Sequence, residues 1–143
     1  MSHIQLPEPD AGIVARRDHI VRDLERLLGS GVVISDEDGR RAFETDALTA
    51  YRAMPLAVVL PRSTEEVAKA LRYCRDNNLK VIARGAGTSL CGGALPAEDA
   101  VVIGVSKMNR VLELDFDTLV VGDGVAILGG AKDRLRELVA TFQ

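Results

Sequence analysis

Tryptophan is absent from this chain, and aromatic residues make up only 3% of it. That scarcity excludes a stacking platform for nucleic-acid bases. Excess positive charge is missing too. The formal net charge is −3, which leaves no basic face of the kind a nucleic-acid backbone selects. Cysteine and histidine are sparse. Cys74 and Cys91 form no CxxC pair and stand at no metal spacing, and His3 and His19 have no partner that suggests a metal site or a catalytic dyad. No apolar run approaches the ~20 residues that cross a bilayer. The opening MSHIQLPEPD has no basic segment followed by an apolar one, so it does not read as a secretory signal. These absences predict a soluble, cytoplasmic protein with no nucleic-acid partner, no membrane span and no metal site.

What is present is a chain of 143 residues, 47% hydrophobic and 27% charged, a length that fits one domain with a real core. Residues 1–12 carry Pro7, Pro9 and Gly12 and read as an arm. Apolar residues at helical spacing predict a helix from Ile13 to Leu28, ended by Gly29 and Gly31. Val32 to Ile34 reads as a short strand, Asp36 to Arg41 as a polar turn, and Phe43 to Met54 mostly as loop.

The middle of the chain is more explicit. Leu56 to Leu60 is an apolar run closed by Pro61, the pattern of a buried strand. Ser63-Thr-Glu-Glu66 fits a capping box, and Val67, Ala70, Leu71 and Cys74 then share one helical face. Asn77-Asn78 predicts the helix stop, and Leu79 to Ala83 is a second apolar run. Strand, helix and strand with short connections make a βαβ unit with parallel strands. Pro96 to Asp99 reads as a turn and Val101 to Val105 as a third strand. Two further strands are expected at Asn109 to Leu114 and Thr118 to Val121, a turn at Gly122-Asp123-Gly124, and a helix from Ala131.

Directly after the second strand comes RGAGTSLCGG, residues 84–93. A loop at the carboxyl end of a strand in an α/β sheet is where ligands tend to bind. Its glycines admit close backbone approach, and successive N–H groups can form an anion-binding nest. Thr88 and Ser89 add hydroxyl groups and Arg84 adds charge, a set suited to a phosphate or pyrophosphate. The residues alone leave a second reading open, a glycine-rich turn that only packs between strands. Two familiar phosphate loops are excluded. No glycine-lysine-serine/threonine run exists for a P-loop, and the dinucleotide pattern GxGxxG fails at Leu90. Cys91-Gly-Gly-Ala-Leu-Pro96 also cannot open the helix whose N-terminus would meet a pyrophosphate. Any diphosphate would be held by loop amides.

Three segments in order, Pro55-Leu-Ala-Val-Val-Leu-Pro61-Arg-Ser63-Thr-Glu-Glu-Val67, Val81-Ile-Ala-Arg84-Gly-Ala-Gly-Thr-Ser-Leu-Cys-Gly-Gly-Ala-Leu-Pro96 and Met108-Asn109-Arg110-Val-Leu-Glu-Leu-Asp115, resemble the FAD-linked oxidases of the vanillyl-alcohol oxidase or p-cresol methylhydroxylase type. Within that family the likeness is strongest to the glycolate oxidase large flavin subunit and its D-lactate and D-2-hydroxy acid dehydrogenase relatives. It spans roughly Asp36 to Val125, with Phe43 to Arg52 similar to the segment preceding the domain. The resemblance implies an α+β fold: a βαβ subdomain followed by the start of a second, mostly antiparallel one. It implies an arm and helix over 1–35 and a partial FAD-binding domain over 36–143. It implies FAD as cofactor, with Arg84, Gly85, Ala86, Gly87, Thr88 and Ser89 at the pyrophosphate, Leu90, Gly92 and Gly93 toward the ribityl or flavin side, and Pro61 near the adenine half. Ala83 and Asp123 depart from it, standing where proline is usual or common. An inward-pointing Asp123 carboxylate would weaken diphosphate binding.

Family members run several hundred residues longer, with their catalytic histidines and arginines beyond this point. No residue of this chain is therefore assigned as catalytic. The last residues form an amphipathic helix with Leu135, Leu138, Val139 and Phe142 on one face and no C-cap. That face predicts a partner surface: the remainder of the flavin domain, another subunit, or a second copy of the chain. Two functions follow: the FAD-binding part of a flavin-dependent 2-hydroxy acid oxidoreductase, or an inactive fragment that serves only as a folded oligomerising or partner-binding module.

Overall fold

A computed structural model describes residues 7–110, 118–119 and 127–141. The chain forms two compact units, Met1–Met108 and Asn109–Gln143. In the first, α1 (Ala11–Ala15) and α2 (Arg17–Leu28) lead into β1 (Val33–Ile34) and α3 (Glu37–Arg41). After an irregular segment come β2 (Ala57–Val59), α4 (Thr64–Asp76), β3 (Lys80–Arg84) and β4 (Ala100–Gly104). The second unit contains β5 (Thr118–Leu119), β6 (Ile127–Leu128) and α5 (Ala131–Ala140), with β5 and β6 antiparallel.

The helix expected from Ile13 to Leu28 is broken at Arg16, which closes α1 and starts α2 with φ −90° and ψ 6°. The Asp10 carboxylate caps α1 by accepting from the Gly12 and Ile13 N–H groups, so the first helix begins earlier than its apolar residues suggested. The segment Asp36 to Arg41 is a correction. It folds as α3, capped by Asp36 accepting from Gly39 N, with Glu37 and Asp38 in the first turn and Arg40 and Arg41 in the last. Such a short helix has no apolar face to advertise it; capping and charge placement hold it.

The Ser63 cap of α4 forms as expected, with Ser63 Oγ accepting from Glu66 N at 3.3 Å. The Glu66 carboxylate reaches back one residue further than a standard capping box and accepts from Arg62 N at 2.7 Å. On the predicted apolar face Ala70 and Cys74 are buried, whereas Leu71 is exposed. Burial pushes the Cys74 thiol up to about 11, which marks it as inert packing. Tyr73 Oη donates to Asp23 Oδ2 at 3.1 Å and ties α4 to α2. Burial and then that carboxylate push its hydroxyl up to about 12. Asn78 takes the left-handed conformation, φ 55°, and ends the helix where Asn77-Asn78 predicted.

The four-stranded sheet has the order β1-β2-β4-β3. β2 and β3 are parallel, as the βαβ pattern requires, but they are not neighbours: β4 lies between them, parallel to both. Every residue of β4 is buried, which is why its sequence AVVIG is apolar at both strand periods. β1 runs antiparallel to β2 at one edge. One sheet face carries Ala57, Val59, Val101 and Ile103 and packs against Ile20, Leu24, Ala70 and Cys74 of α2 and α4. On the opposite face Val58 and Val102 are equally buried, although no helix of that core cluster covers them. In the second unit α5 lies against β5, and along its expected apolar face Leu135 and Val139 are half-buried and Leu138 exposed. The strand expected over Asn109 to Leu114 falls mostly outside the described residues, as do residues 120–126, with the turn and Asp123, and Phe142.

At the amino ends of β3 and β4 the buried Asp99 carboxylate accepts from Asp10 N at 2.8 Å and from Lys80 Nζ at 2.6 Å, fastening the N-terminal arm to the sheet. Its second oxygen is buried without a partner among the described residues. Burial works to raise the Asp99 carboxyl, but the Asp10 N–H and the Lys80 ammonium outweigh it and hold it below the usual range. A depressed carboxyl stabilises the fold above its unfolded value near ~4, and that stability is lost as pH falls through the folded value. Asp99→Asn should therefore cost roughly 1–3 kcal/mol at neutral pH. In acid the variant and wild type should converge; a thermal melt series from pH 7 to pH 3 checks this, and a constant gap would contradict it.

Candidate FAD diphosphate cradle

The residues 84–93 leave the carboxyl end of β3 and form no helix. Gly87 and Gly92 both adopt φ +75°, which L side chains rarely take. Among the described residues, the backbone N–H groups of Gly85, Ala86, Gly87, Thr88, Ser89 and Leu90 donate to no acceptor within the chain. Gly85, Ala86, Thr88, Leu90, Cys91 and Gly93 are exposed, and Arg84, Gly87, Ser89 and Gly92 are half-buried. Buried amides are nearly always satisfied within a folded chain, whereas exposed ones such as these can meet solvent or a ligand. Six consecutive donors left open on one loop suit an anion with many acceptor oxygens.

The side chains divide their tasks differently from what residue type alone suggests. The Arg84 guanidinium, expected to face a phosphate, donates from Nη1 to the backbone carbonyls of Thr45 at 2.7 Å and Ala94 at 3.4 Å. It lies over the Phe43 ring, 5.4 Å from the centroid. A Cβ on Gly87 would fall 2.6 Å from Arg84 Cζ and closer still to Nη2. The loop thus folds over its own arginine, and only glycine fits at its crest. The guanidinium lies beside the Gly87 backbone, and its charge favours an anion at the loop. Ser89 Oγ accepts from Cys91 N at 3.3 Å and from Gly93 N at 3.1 Å, so it shapes the second half of the loop. The Thr88 hydroxyl is exposed and has no recorded partner among the described residues. Leu90, 72% exposed, is the most prominent apolar side chain of the loop. Pro61 is fully buried at the end of β2. It stands two strands from β3, on the order of 10 Å away.

Residues that composition did not single out complete the base of the loop. Asp46, 4% exposed, accepts from Leu48 N at 2.9 Å and Ala94 N at 3.3 Å. Phe43 and Thr45 serve Arg84 from the same segment. The signal for Asp46 was its Asx-turn context, an aspartate two residues ahead of an apolar Leu48 inside an otherwise irregular stretch. No group of three or more His, Cys, Asp or Glu among the described residues is placed to hold a metal. No described helix is long and apolar enough to cross a membrane.

The fold is that of an α+β module whose glycine loop leaves β3 without opening a helix. The FAD binding domain family matches residues 55–132, more than half of the chain, and the chain belongs to that family, whose cofactor is FAD. The free amides and the side-chain-free crest at Gly87 fit that cofactor's diphosphate. The chain is 40% identical over 81 residues to glycolate oxidase subunit GlcD of Bacillus subtilis, an overlap that takes in 57% of this chain and 17% of that one. It is 33% identical to a mitochondrial D-2-hydroxyglutarate dehydrogenase of Arabidopsis thaliana, covering 64% and 16% respectively. It spans about a sixth of the length of these relatives. Among solved structures, p-cresol methylhydroxylase with substrate bound superposes with a TM-score of 0.61 at 21% identity, over 75% of this chain and 21% of that one, which establishes the shared fold.

Proposed function

We propose that this chain is the FAD-holding portion of a flavin-dependent oxidoreductase acting on a 2-hydroxy acid, in which Arg84 to Ser89 surround the FAD diphosphate and Leu90, Gly92 and Gly93 lie toward the ribityl or flavin side. The carrying observation is the run of six open amides from Gly85 to Leu90 beside a fixed guanidinium. The substrate class is supported by the likeness to glycolate oxidase and D-2-hydroxyglutarate dehydrogenase chains. In such an enzyme the flavin supplies the hydride acceptor, and the protein contributes binding, orientation and electrostatics. The part assigned to this chain is binding: the loop donates to phosphoryl oxygens, and Pro61, beyond the end of β2, lies toward the adenine half. The alternative of an inactive oligomerising module is not favoured, because the match to the FAD binding domain family and the likeness to glycolate oxidase and D-2-hydroxyglutarate dehydrogenase chains support a flavin-binding role.

Titration with FAD, ADP and riboflavin separates the readings. A diphosphate cradle binds FAD, releases it to excess ADP and ignores riboflavin. Riboflavin binding as tight as FAD, or no response to any of the three, would overturn the assignment.

A further inference from the structure

The geometry points to Asp46 as the positioning residue of the cradle: with Arg84 it staples the far end of the glycine loop to the segment 43–48, presetting the amides without touching the nucleotide. This rests on the reading of residues 84–93 as the diphosphate site. Both backbone groups of Ala94 are taken by charged side chains, its N–H by Asp46 Oδ2 and its carbonyl by Arg84 Nη1. Asp46 Oδ1 accepts from Leu48 N, and Arg84 Nη1 also donates to Thr45 O. Two oppositely charged groups therefore grip the same two segments, and the loop from 84 to 94 closes into a ring whose start is fixed by β3 and whose end is fixed by the staple. The amides from Gly85 to Leu90 donate to no acceptor in the loop, so the shape of its first half must be imposed from outside. Asp46 is 4% exposed, and a carboxylate so buried is retained only where it is hydrogen-bonded.

The charge makes the inference testable by sign. A carboxylate near an anion site repels the anion, so an Asp46 acting through charge alone would make Asp46→Asn bind FAD more tightly. A staple predicts the reverse. Asparagine offers a single acceptor oxygen and must turn its amino group toward one of two N–H donors. Asp46→Asn should weaken FAD binding about 10- to 100-fold, the scale of a lost hydrogen bond to a charged group. It should also speed tryptic cleavage after Arg84, because the loop no longer closes. Asp46→Glu keeps the charge and both oxygens one methylene further out; it should fall between the two, and it stands in if the asparagine variant does not fold. Asp99→Asn, at the opposite ends of the strands, serves as the control that lowers stability while leaving FAD affinity and cleavage at Arg84 unchanged. FAD affinity of Asp46→Asn equal to or tighter than wild type, or unchanged cleavage after Arg84, would overturn the staple. Cleavage needs no nucleotide, so a wild-type chain that ignores FAD would sink the cradle while the staple still stands or falls on proteolysis.

Discussion

Gly87→Asp should yield a protein that retains no flavin, with FAD affinity down by more than about 1000-fold. Three costs converge on this residue. Its φ of +75° is costly for any residue with a Cβ, by roughly 1–2 kcal/mol. The new Cβ would overlap the Arg84 guanidinium, which cannot retreat without releasing the Thr45 and Ala94 carbonyls. The carboxylate would then stand among the amides that receive the diphosphate. Gly87→Ala separates strain from charge: it carries the first two costs without the third and should retain weak FAD binding. Raising the salt concentration should recover part of the loss in the aspartate variant and none in the alanine variant, because only repulsion is screened. Flavin content measured by absorbance after purification decides the matter; wild-type content in Gly87→Asp would remove the loop from the site.

Arg84→Leu is expected to lower FAD affinity at least about 100-fold. The leucine cannot donate to Thr45 O and Ala94 O, each a charge-assisted bond worth about 1.5–3 kcal/mol when its buried partner is left open. It also gives up the contact with the Phe43 ring, worth roughly 0.5–2 kcal/mol. The positive charge beside the loop goes as well. Arg84→Lys restores charge, but on a different stem and without the planar guanidinium that lies over the Phe43 ring, so it should recover only a fraction of the affinity. Lysine equal to arginine in a fluorescence titration would mean that charge alone matters at this position and that the grip on Ala94 does not.

Much of the first unit could be read locally. The run Leu56 to Leu60, the Ser63 cap, the Asn78 stop and the run before Arg84 each carry their own short-range signal, and each element stands within a residue or two of its expected place. The helix-free loop was legible for the same reason: a glycine-dense stretch after an apolar run, unable to open a helix, states its backbone freedom in sequence. α3 was not legible, because charged residues around Gly39 look like a turn until Asp36 closes the cap. Leu71 belonged to the right helical period but to the wrong edge of the stripe, and only packing against α2 settles which edge is covered.

What sequence by itself determined is the parallel strand–helix–strand unit and the chemical character of residues 84–93, since both depend on neighbours a few positions apart. Tertiary structure alone decided that β4 slides between β2 and β3, because strand order is a contest among distant apolar runs, won by the one buried on both faces. It also decided that the Arg84 guanidinium turns away from the open amides to hold Thr45 and Ala94, partners 39 and 10 residues away along the chain. A side chain's direction follows from the acceptors that folding brings within its reach, and no local pattern names them in advance.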